Sequence, residues 1–274
     1  MANSLAYLTA RFFGTVFVIS SLTVQWILAW LLQVLFIILS YPFLSKDKRQ
    51  NACGHIFRFV SFVGMDLLNP FWRVHVLNKF PPTKHRRVLL MMNHLSGSDP
   101  FLSIRAMLPR DGTWIAKSGL FRVPFGGWCL ANSGDLAVHF KNKRAGFETI
   151  KGTVGVMMEN AARKLRQGRM ICVFPEGTRN GNPDGPILPF RKGFFELAIQ
   201  EDAIIVPMAI SGTDKMWPVG SILIDSADAY FSFGEPIEAR KFDNMDSLAD
   251  HVWKIMNDLR ESHPDRVAMR RKAE

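Results

Sequence analysis

VLLMMNHLSGSDPFLSIRAML, residues 88–108, is the stretch of sequence that decides the fold. It begins with a short apolar run, continues through a small, polar segment that favours turns, and ends in apolar residues at helical spacing. Asp99 followed by Pro100 is an ordinary start for a helix. The pattern therefore predicts a strand, a loop that carries His94, and a helix, which is the repeating unit of α/β proteins.

The same alternation continues along the chain. Strands are predicted at residues 71–77, 86–93, 113–118, 136–140, 169–175, 203–210, 221–226 and 229–234. Helices are predicted at residues 51–68, 101–108, 143–167, 191–200 and 247–261. Residues 126–135 hold too many glycines for a long regular element. We therefore expect an α/β fold whose mixed, largely parallel sheet is flanked by helices, with reactive loops at the carboxyl ends of strands.

The N-terminal part of the chain is apolar, and residues 12–44 contain no charged side chain. One helix of these 33 residues would be about 50 Å long, whereas the hydrocarbon core of a bilayer is about 30 Å thick. The segment therefore either tilts into the interface or breaks near residues 20–25 into two helices that enter one leaflet and return. Trp26, Trp30 and Tyr41 are suited to the interface in either case.

The segment KDKRQ, residues 46–50, follows the apolar stretch directly and is rich in basic side chains. The positive-inside rule places this end on the cytoplasmic side of a membrane. We predict an N-terminal membrane-embedded helical segment, residues 1–45, and one α/β domain, residues 46–274. The helix at 51–68 fits the surface of a membrane and the surface of this domain equally well.

Composition limits the classes of partner. The chain carries a net charge of +10 while 48% of its residues are hydrophobic, which favours anionic membrane surfaces or phosphorylated substrates. No nucleic acid partner is predicted, because the sequence has no zinc-ligand spacing, no aromatic RNA-binding signature and no long basic stripe. Cys53, Cys129 and Cys172 are odd in number and widely separated, which indicates a reducing compartment and neither disulfides nor a metal site.

His94 and Asp99 are candidates for proton transfer. A histidine can take a proton from a hydroxyl, and a carboxylate on its other ring nitrogen fixes the tautomer and stabilises the cation. On a straight helix the two side chains would point about 140° apart, so they meet only if the chain turns between them. LSGS, residues 95–98, can make that turn. The structural alternative is that Asp99 only caps the helix that follows.

Two further segments are candidates for binding phosphate. In VFPEGTRNG, residues 173–181, Glu176, Gly177 and Thr178 form a turn after a strand, and Arg179 offers a planar fork that matches phosphate. Lys117 and Arg122 lie in a loop rich in proline and glycine. The alternative in each case is a solvated surface turn.

A fourth segment, IIVPMAI, carries Pro207. Taken alone, this proline is best explained as the end of a buried strand.

Together and in this order, NHLSGSD, FPEGTR and VPMAI resemble the signature blocks of the glycerolipid acyltransferase family, in particular its 1-acyl-sn-glycerol-3-phosphate (lysophosphatidic acid) acyltransferases. The resemblance covers about residues 86–215, and FRKGFFELA, residues 190–198, is also in register. Because NHxxxxD and FPEGTR are highly specific in combination, residues 46–274 are interpreted as an acyltransferase catalytic domain.

The resemblance implies a role for each matching residue. His94 would be the general base that deprotonates the free hydroxyl of a lysophospholipid, and Asp99 would orient it and balance its charge. The alkoxide would attack the thioester of acyl-CoA directly, so no nucleophilic serine or cysteine is required.

The block around Glu176, Gly177, Thr178 and Arg179 would hold the glycerol phosphate, and Pro207 would belong to the acyl-donor block. Lys117 matches none of these blocks and is a candidate substrate-binding residue from its loop alone. Acyl-CoA is the implied co-substrate, and no metal or other cofactor is implied.

One position departs from the family pattern. The second family block usually ends in an arginine, and Phe140 occupies that position here. Lys141, Lys143 or Arg144 could supply the charge from nearby. His139 has no identifiable partner in the sequence, which favours a structural role over that of a second catalytic acid.

The sequence therefore predicts a membrane-bound enzyme that uses acyl-CoA to convert lysophosphatidic acid to phosphatidic acid, with its catalytic domain on the cytoplasmic side of the endoplasmic reticulum or of a bacterial inner membrane. Acylation of another lysophospholipid or of glycerol 3-phosphate is the alternative within this class. A lipid esterase would need a serine nucleophile, and no GxSxG motif supplies one. A non-catalytic lipid-binding protein is the third possibility.

Overall fold

The alternating strand and helix patterns fold into one mixed sheet with helices on both faces in the computed structural model of the protein, which describes residues 5–83, 87–140, 150 and 152–273. The strands in this part of the chain are β1 Trp72–Val76, β2 Val88–Met92, β3 Gly112–Lys117, β4 Leu136–Val138, β5 Met170–Val173, β6 Ile204–Ser211, β7 Ala227–Phe233 and β8 Ile237–Glu238. The helices are α1 Leu5–Ser40, α2 Lys46–Phe62, α3 Asp99–Met107, α4 Gly126–Asn132, α5 Thr153–Arg166, α6 Gly193–Gln200, α7 Thr213–Met216, α8 Met245–Glu261 and α9 Pro264–Ala273.

The strands are arranged in the order β1-β7-β6-β2-β5-β3-β4, with β8 paired to β6. The five strands from β6 to β4 are parallel, whereas β7 runs antiparallel to β6 and β1 runs parallel to β7. This confirms the prediction of a mixed, largely parallel sheet. Strand β2 lies between β5 and β6, and all five of its residues are buried, as expected of a strand covered on both faces.

Alternate residues of β2 enter two separate cores. Leu90 and Met92 pack on one face of the sheet with residues of α1 and α3. Leu89 and Met91 pack on the other face with residues of α5, α6 and α8. The carboxyl end of β2, where His94 follows, is therefore held between two helical layers.

The long N-terminal helix α1 is continuous, so the alternative of a break near residues 20–25 is wrong. Its buried residues recur every three to seven positions and form one stripe that includes Gln25 and Gln33. Near one end, Arg11 pairs with Asp225 at 2.8 Å, and near the other, Gln33 Nε2 donates to the carbonyl oxygen of Cys53 at 2.9 Å. The helix therefore lies along the α/β domain over most of its length.

Helix α2 is fixed to the sheet by buried charges. It begins at Lys46, five residues before the predicted start, and continues into a π-helical turn over Val63–Leu67. Arg58 on α2 donates to both carboxylate oxygens of Asp135, at 2.7 and 2.6 Å, and both side chains are buried. Removing either partner alone would leave an uncompensated buried charge, so the pair holds α2 against the residue that precedes β4.

One predicted strand is absent from the structure, and the segment predicted to lack a long regular element holds a short helix. Residues 221–226 do not form a strand, because their backbone bonds elsewhere: the Ile224 amide donates to Thr15 Oγ1, and the Asp225 amide donates to the carbonyl oxygen of Met216. The glycine-rich segment contains the short helix α4. A Cβ atom on Gly126 would lie 2.7 Å from the ring of Trp26, so glycine lets this helix approach α1.

For the helix predicted over 143–167, the described portion is α5, and residues 141–149 and 151 lie outside the described part of the chain. The short elements α7, α9 and β8 were not predicted.

Pro207 does not end its strand, as the sequence pattern suggested, but lies inside β6 opposite Met91. Its carbonyl oxygen accepts from the Gly234 amide, so its missing amide hydrogen would have pointed to the same side of the strand. On that side the pairing with β8 ends at Ile205 and the pairing with β7 begins at Met208. The sheet therefore tolerates proline because the neighbouring strands change at this point.

Candidate active site

His94 and Asp99 meet in the loop between β2 and α3. The distance from His94 Nδ1 to Asp99 Oδ2 is 2.7 Å, and the amides of Leu95 and Ser96 donate to the same oxygen at 2.7 and 2.8 Å. The loop thus turns back on its own carboxylate and removes the separation that a straight helix would impose. Ser98 precedes the helix as its cap residue, one position earlier than predicted, and Asp99 is the first helical residue.

The hydrogen bonds of Asp99 determine which ring nitrogen of His94 is available. Asp99 Oδ2 accepts from two backbone amides and therefore carries no hydrogen atom, so the hydrogen atom in its bond to His94 belongs to Nδ1. In the neutral imidazole, Nε2 then carries the lone pair that can accept a proton. Asp99 is fully buried, whereas the His94 side chain is 19% exposed, so a ligand can reach the ring.

The ring of His94 is held from one side by Phe174. The two rings stack with centroids 4.1 Å apart and an interplanar angle of 16°. Phe174 directly precedes residues 175–179, which we call the PEGTR turn. The ring centroid of Phe174 lies 6.0 Å from that of Trp114 on β3. This aromatic support was not predicted, although an aromatic residue at the end of β5 next to the turn is the signal that could have indicated it.

Glu176 connects the His94 loop to the loop after β5. Its Oε1 accepts from the His94 amide at 2.6 Å and its Oε2 accepts from the Leu188 amide at 3.0 Å. Only 4% of the residue is exposed, and burial raises the pKa of Glu176 to about 7, although both amide donors act in the opposite direction. Both oxygens are therefore used inside the protein.

The PEGTR turn depends on the glycine at position 177. Gly177 has φ +70°, and a Cβ atom there would lie 2.5 Å from Nε of Arg191. Thr178 is half-buried and Arg179 is exposed, with Nη1 of Arg179 lying 3.8 Å from the position of a Cβ atom on Gly97 in the His94 loop. The structure thus brings the Arg179 guanidinium group beside the loop that carries the histidine.

Two other predicted residues lie on the strands that flank β2 and β5 in the sheet. Lys117 is exposed at the carboxyl end of β3, with Nζ 5.9 Å from the ring centroid of Phe140. The three basic residues predicted as substitutes for the family arginine all lie outside the described residues: Lys141, Lys143 and Arg144. Pro207 is paired with Met91, three residues before His94, which corresponds to about 10 Å along the strand.

The described part of the chain shows neither a cluster of metal-ligating side chains nor an exposed cysteine. Within residues 5–83, 87–140, 150 and 152–273, no group of three or more histidine, cysteine, aspartate or glutamate side chains is arranged to hold a metal ion. Cys53, Cys129 and Cys172 are all buried. Burial raises the pKa of the Cys53 thiol to about 11 and that of the Cys129 thiol to about 12, which removes both from the thiolate form at neutral pH.

Comparison with known proteins shows that the chain is similar to acyltransferases. A family model described as Acyltransferase matches residues 72–211. The chain is 26% identical over 246 residues to a 1-acyl-sn-glycerol-3-phosphate acyltransferase of Limnanthes alba, covering 89% of this chain and 79% of that protein. It is 36% identical over 129 residues to the protein of the same name from Saccharomyces cerevisiae, covering 47% and 40% of the two chains.

A solved structure has the same fold. The crystal structure of the 1-acyl-sn-glycerophosphate acyltransferase PlsC from Thermotoga maritima superposes with a TM-score of 0.72 at 21% identity. The match covers 92% of this chain and 95% of that one.

Replacing Glu176 by glutamine tests the burial of this carboxylate. Because the pKa of Glu176 is raised from 4.5 to about 7, the folded protein binds the proton more tightly than the unfolded chain. The free energy of unfolding should therefore fall as the pH rises from about 4.5 to about 7. We expect the melting temperature of the unmodified protein in detergent to fall between about pH 5 and about pH 8 by several degrees more than that of Glu176→Gln.

The matched control is Glu196→Gln, which removes an exposed carboxylate on α6 and should keep the pH dependence of the unmodified protein. Equal pH dependence with and without the Glu176 carboxyl group would contradict the assignment.

Proposed function

The chain belongs to the acyltransferase family, and we propose that it transfers a fatty acyl group from acyl-CoA to the free hydroxyl of lysophosphatidic acid, giving phosphatidic acid. The observation that carries the proposal is the 2.7 Å bond between His94 Nδ1 and Asp99 Oδ2, which leaves Nε2 of an accessible ring ready to accept a proton. The names of the relatives from Limnanthes alba and Saccharomyces cerevisiae support the choice of acceptor.

The proposed reaction is a direct transfer. His94 Nε2 takes the proton of the acceptor hydroxyl, and Asp99 stabilises the imidazolium ion that forms. The hydroxyl oxygen attacks the thioester carbonyl carbon, a carbon–oxygen bond forms, and the carbon–sulfur bond breaks. The departing thiolate of coenzyme A takes the proton back from His94. No acyl-enzyme is formed, which agrees with the burial of all three cysteines.

The acceptor phosphate is proposed to bind at the turn after β5. Arg179 supplies a fork suited to phosphate oxygens, Gly177 and Thr178 supply backbone of the turn, and Lys117 adds positive charge from β3. Glu176 supports this site by accepting the His94 amide of the loop after β2 and the Leu188 amide of the segment after β5. The enzyme is proposed to need no metal or cofactor other than the co-substrate acyl-CoA.

Other lysophospholipids and glycerol 3-phosphate share the phosphate and the free hydroxyl, and they remain the alternative acceptors of the same site. An esterase that uses a serine in this loop is disfavoured by the environment of the hydroxyls. Ser96 Oγ donates to the Trp217 carbonyl oxygen at 2.9 Å and lies 2.9 Å from Ser98 Oγ, and both residues are fully buried. Among the described residues, neither hydroxyl is hydrogen-bonded to His94, as a serine nucleophile would be to its base.

We further propose that residues 1–45 attach the catalytic domain, residues 46–274, to the cytoplasmic side of a membrane. Helix α1 is long and apolar enough to cross a bilayer, yet only 22% of its most apolar window is buried in the protein. Its exposed face carries Leu5, Leu8, Phe12, Phe13, Val16, Phe17, Val24, Leu28, Leu31, Leu35, Ile38 and Leu39.

Because both ends of α1 contact the α/β domain, the helix would lie along one leaflet and would not span the bilayer.

Replacing His94 by alanine tests the base. General-base catalysis contributes about 100-fold to about 10,000-fold, so kcat for acyl transfer should fall at least about 100-fold while the protein remains folded. The measurement is transfer of labelled acyl groups from acyl-CoA to lysophosphatidic acid. His55→Ala, which removes an exposed histidine of α2, is the control and should keep full activity. Turnover like that of the unmodified protein in His94→Ala would rule out His94 as the base.

The position of α1 is tested by labelling the residue at its start and the first residue of α2 in sealed, inside-out membrane vesicles. Leu5→Cys marks the exposed start of α1, and Lys46→Cys marks the exposed start of α2. A membrane-impermeant maleimide should label both positions from the same side if α1 lies along one leaflet. Labelling of the two positions from opposite sides would contradict this and would favour a spanning helix. The unmodified protein, whose cysteines are buried, gives the background.

A further inference from the structure

The loop that completes the Glu176 site has no regular secondary structure of its own. Residues 181–188, which we call the 181–188 loop, follow the PEGTR turn and contain two glycines and two prolines. The loop supplies the Leu188 amide to Glu176, and the carbonyl oxygen of Pro186 accepts from Asn180 Nδ2 at 3.0 Å. The backbone N–H of Asn180 donates to the His94 carbonyl oxygen at 2.7 Å. The position of the 181–188 loop therefore affects both Glu176 and the backbone of His94.

Helix α8 binds both backbone polar groups of Ile187. Trp253 Nε1 donates to the Ile187 carbonyl oxygen at 2.8 Å, and Asn257 Oδ1 accepts from the Ile187 amide at 3.0 Å. Asn257 Nδ2 also donates to the Trp253 carbonyl oxygen at 2.9 Å, which orients the amide group. Because Ile187 directly precedes Leu188, these contacts fix the amide that Glu176 accepts.

The end of α8 and the start of α9 bind the first half of the same loop. Arg260, which is 1% exposed, donates to the Gly185 carbonyl oxygen. Arg266 donates to the carbonyl oxygens of Pro183 at 3.2 Å and Asp184 at 2.8 Å. Four side chains from the C-terminal helices therefore bind backbone groups of the 181–188 loop.

The corner between α8 and α9 is itself fixed to the sheet. His263 is fully buried, and its two ring nitrogens lie 2.8 Å from Ser211 Oγ and 2.7 Å from Ser232 Oγ. Ser211 and Ser232 belong to β6 and β7, so the corner cannot move independently of these strands. The helices thus form a rigid support for the loop.

We infer that Trp253, Asn257 and Arg266 are positioning residues for the phosphorylated acceptor, acting through the 181–188 loop on Glu176 and Arg179. The inference rests on the proposed function, because it assigns this side of the site to the acceptor. The loop is continuous in sequence with the turn that carries Arg179. A loosened loop therefore weakens acceptor binding more than acyl-CoA binding.

The test uses Asn257→Ala and Trp253→Phe and measures KM for each substrate with the other in excess. Loss of one partly buried hydrogen bond at the loop should raise KM for lysophosphatidic acid about tenfold in each variant. KM for acyl-CoA should change less than about twofold, since no contact on its side is removed. Trp253→Phe keeps an aromatic ring against the core while it removes the N–H donor, so it serves as the test if Asn257→Ala does not fold.

Lys254→Ala is the control on the same helix, because Lys254 is exposed and bonds only to Asp258 among the described residues. It should leave both KM values unchanged. Suppose that the unmodified protein transfers the acyl group. If the variants then change both KM values equally, or change neither, the inference is overturned and the proposed function stands. Absence of acyl transfer in the unmodified protein would overturn the proposed function and the inference with it.

Discussion

The hydrogen bonds to the carboxylate oxygen Oδ2 of Asp99 are the interaction on which the rest of the site depends. This oxygen receives the ring N–H of His94 and the amides of Leu95 and Ser96, all within five residues of sequence. Bonds to an ionised acceptor are short and strong, and Asp99 also lies at the N-terminus of α3, where the helix dipole favours negative charge. The same three bonds therefore close the loop and fix the tautomer of His94 directly before the helix.

The acceptor side of the site is assembled by the sheet and not by local sequence. Because β2 and β5 are neighbouring parallel strands, the loops that follow them emerge side by side. Glu176 joins the two loops by accepting one amide from each, and it is buried enough for its pKa to rise to about 7. The helices α8 and α9 then hold the far part of the second loop. The histidine loop is thus formed locally, whereas the surroundings of Arg179 depend on contacts between distant parts of the chain.

Sequence reasoning succeeded where a local pattern carries the information and failed where a distant contact decides. The buried strand before His94, the turn at Gly177 and the mixed sheet follow from periodicity and turn chemistry. The segment 221–226 has the composition of a strand, yet its amides bond to α1 and to the end of α7, which no periodicity reports. Pro207 is tolerated inside β6 only because β8 gives way to β7 beside it. The Leu188 amide that Glu176 accepts has no sequence signature, since any residue except proline supplies an amide.

The most direct test of the central claim is a panel of acceptors offered to the purified protein with labelled acyl-CoA. The panel contains lysophosphatidic acid, lysophospholipids with larger head groups, and glycerol 3-phosphate. The account predicts labelled phosphatidic acid as the main product, with the highest kcat/KM for lysophosphatidic acid. Release of labelled free fatty acid without transfer to any acceptor, or a higher kcat/KM for another acceptor, would contradict it.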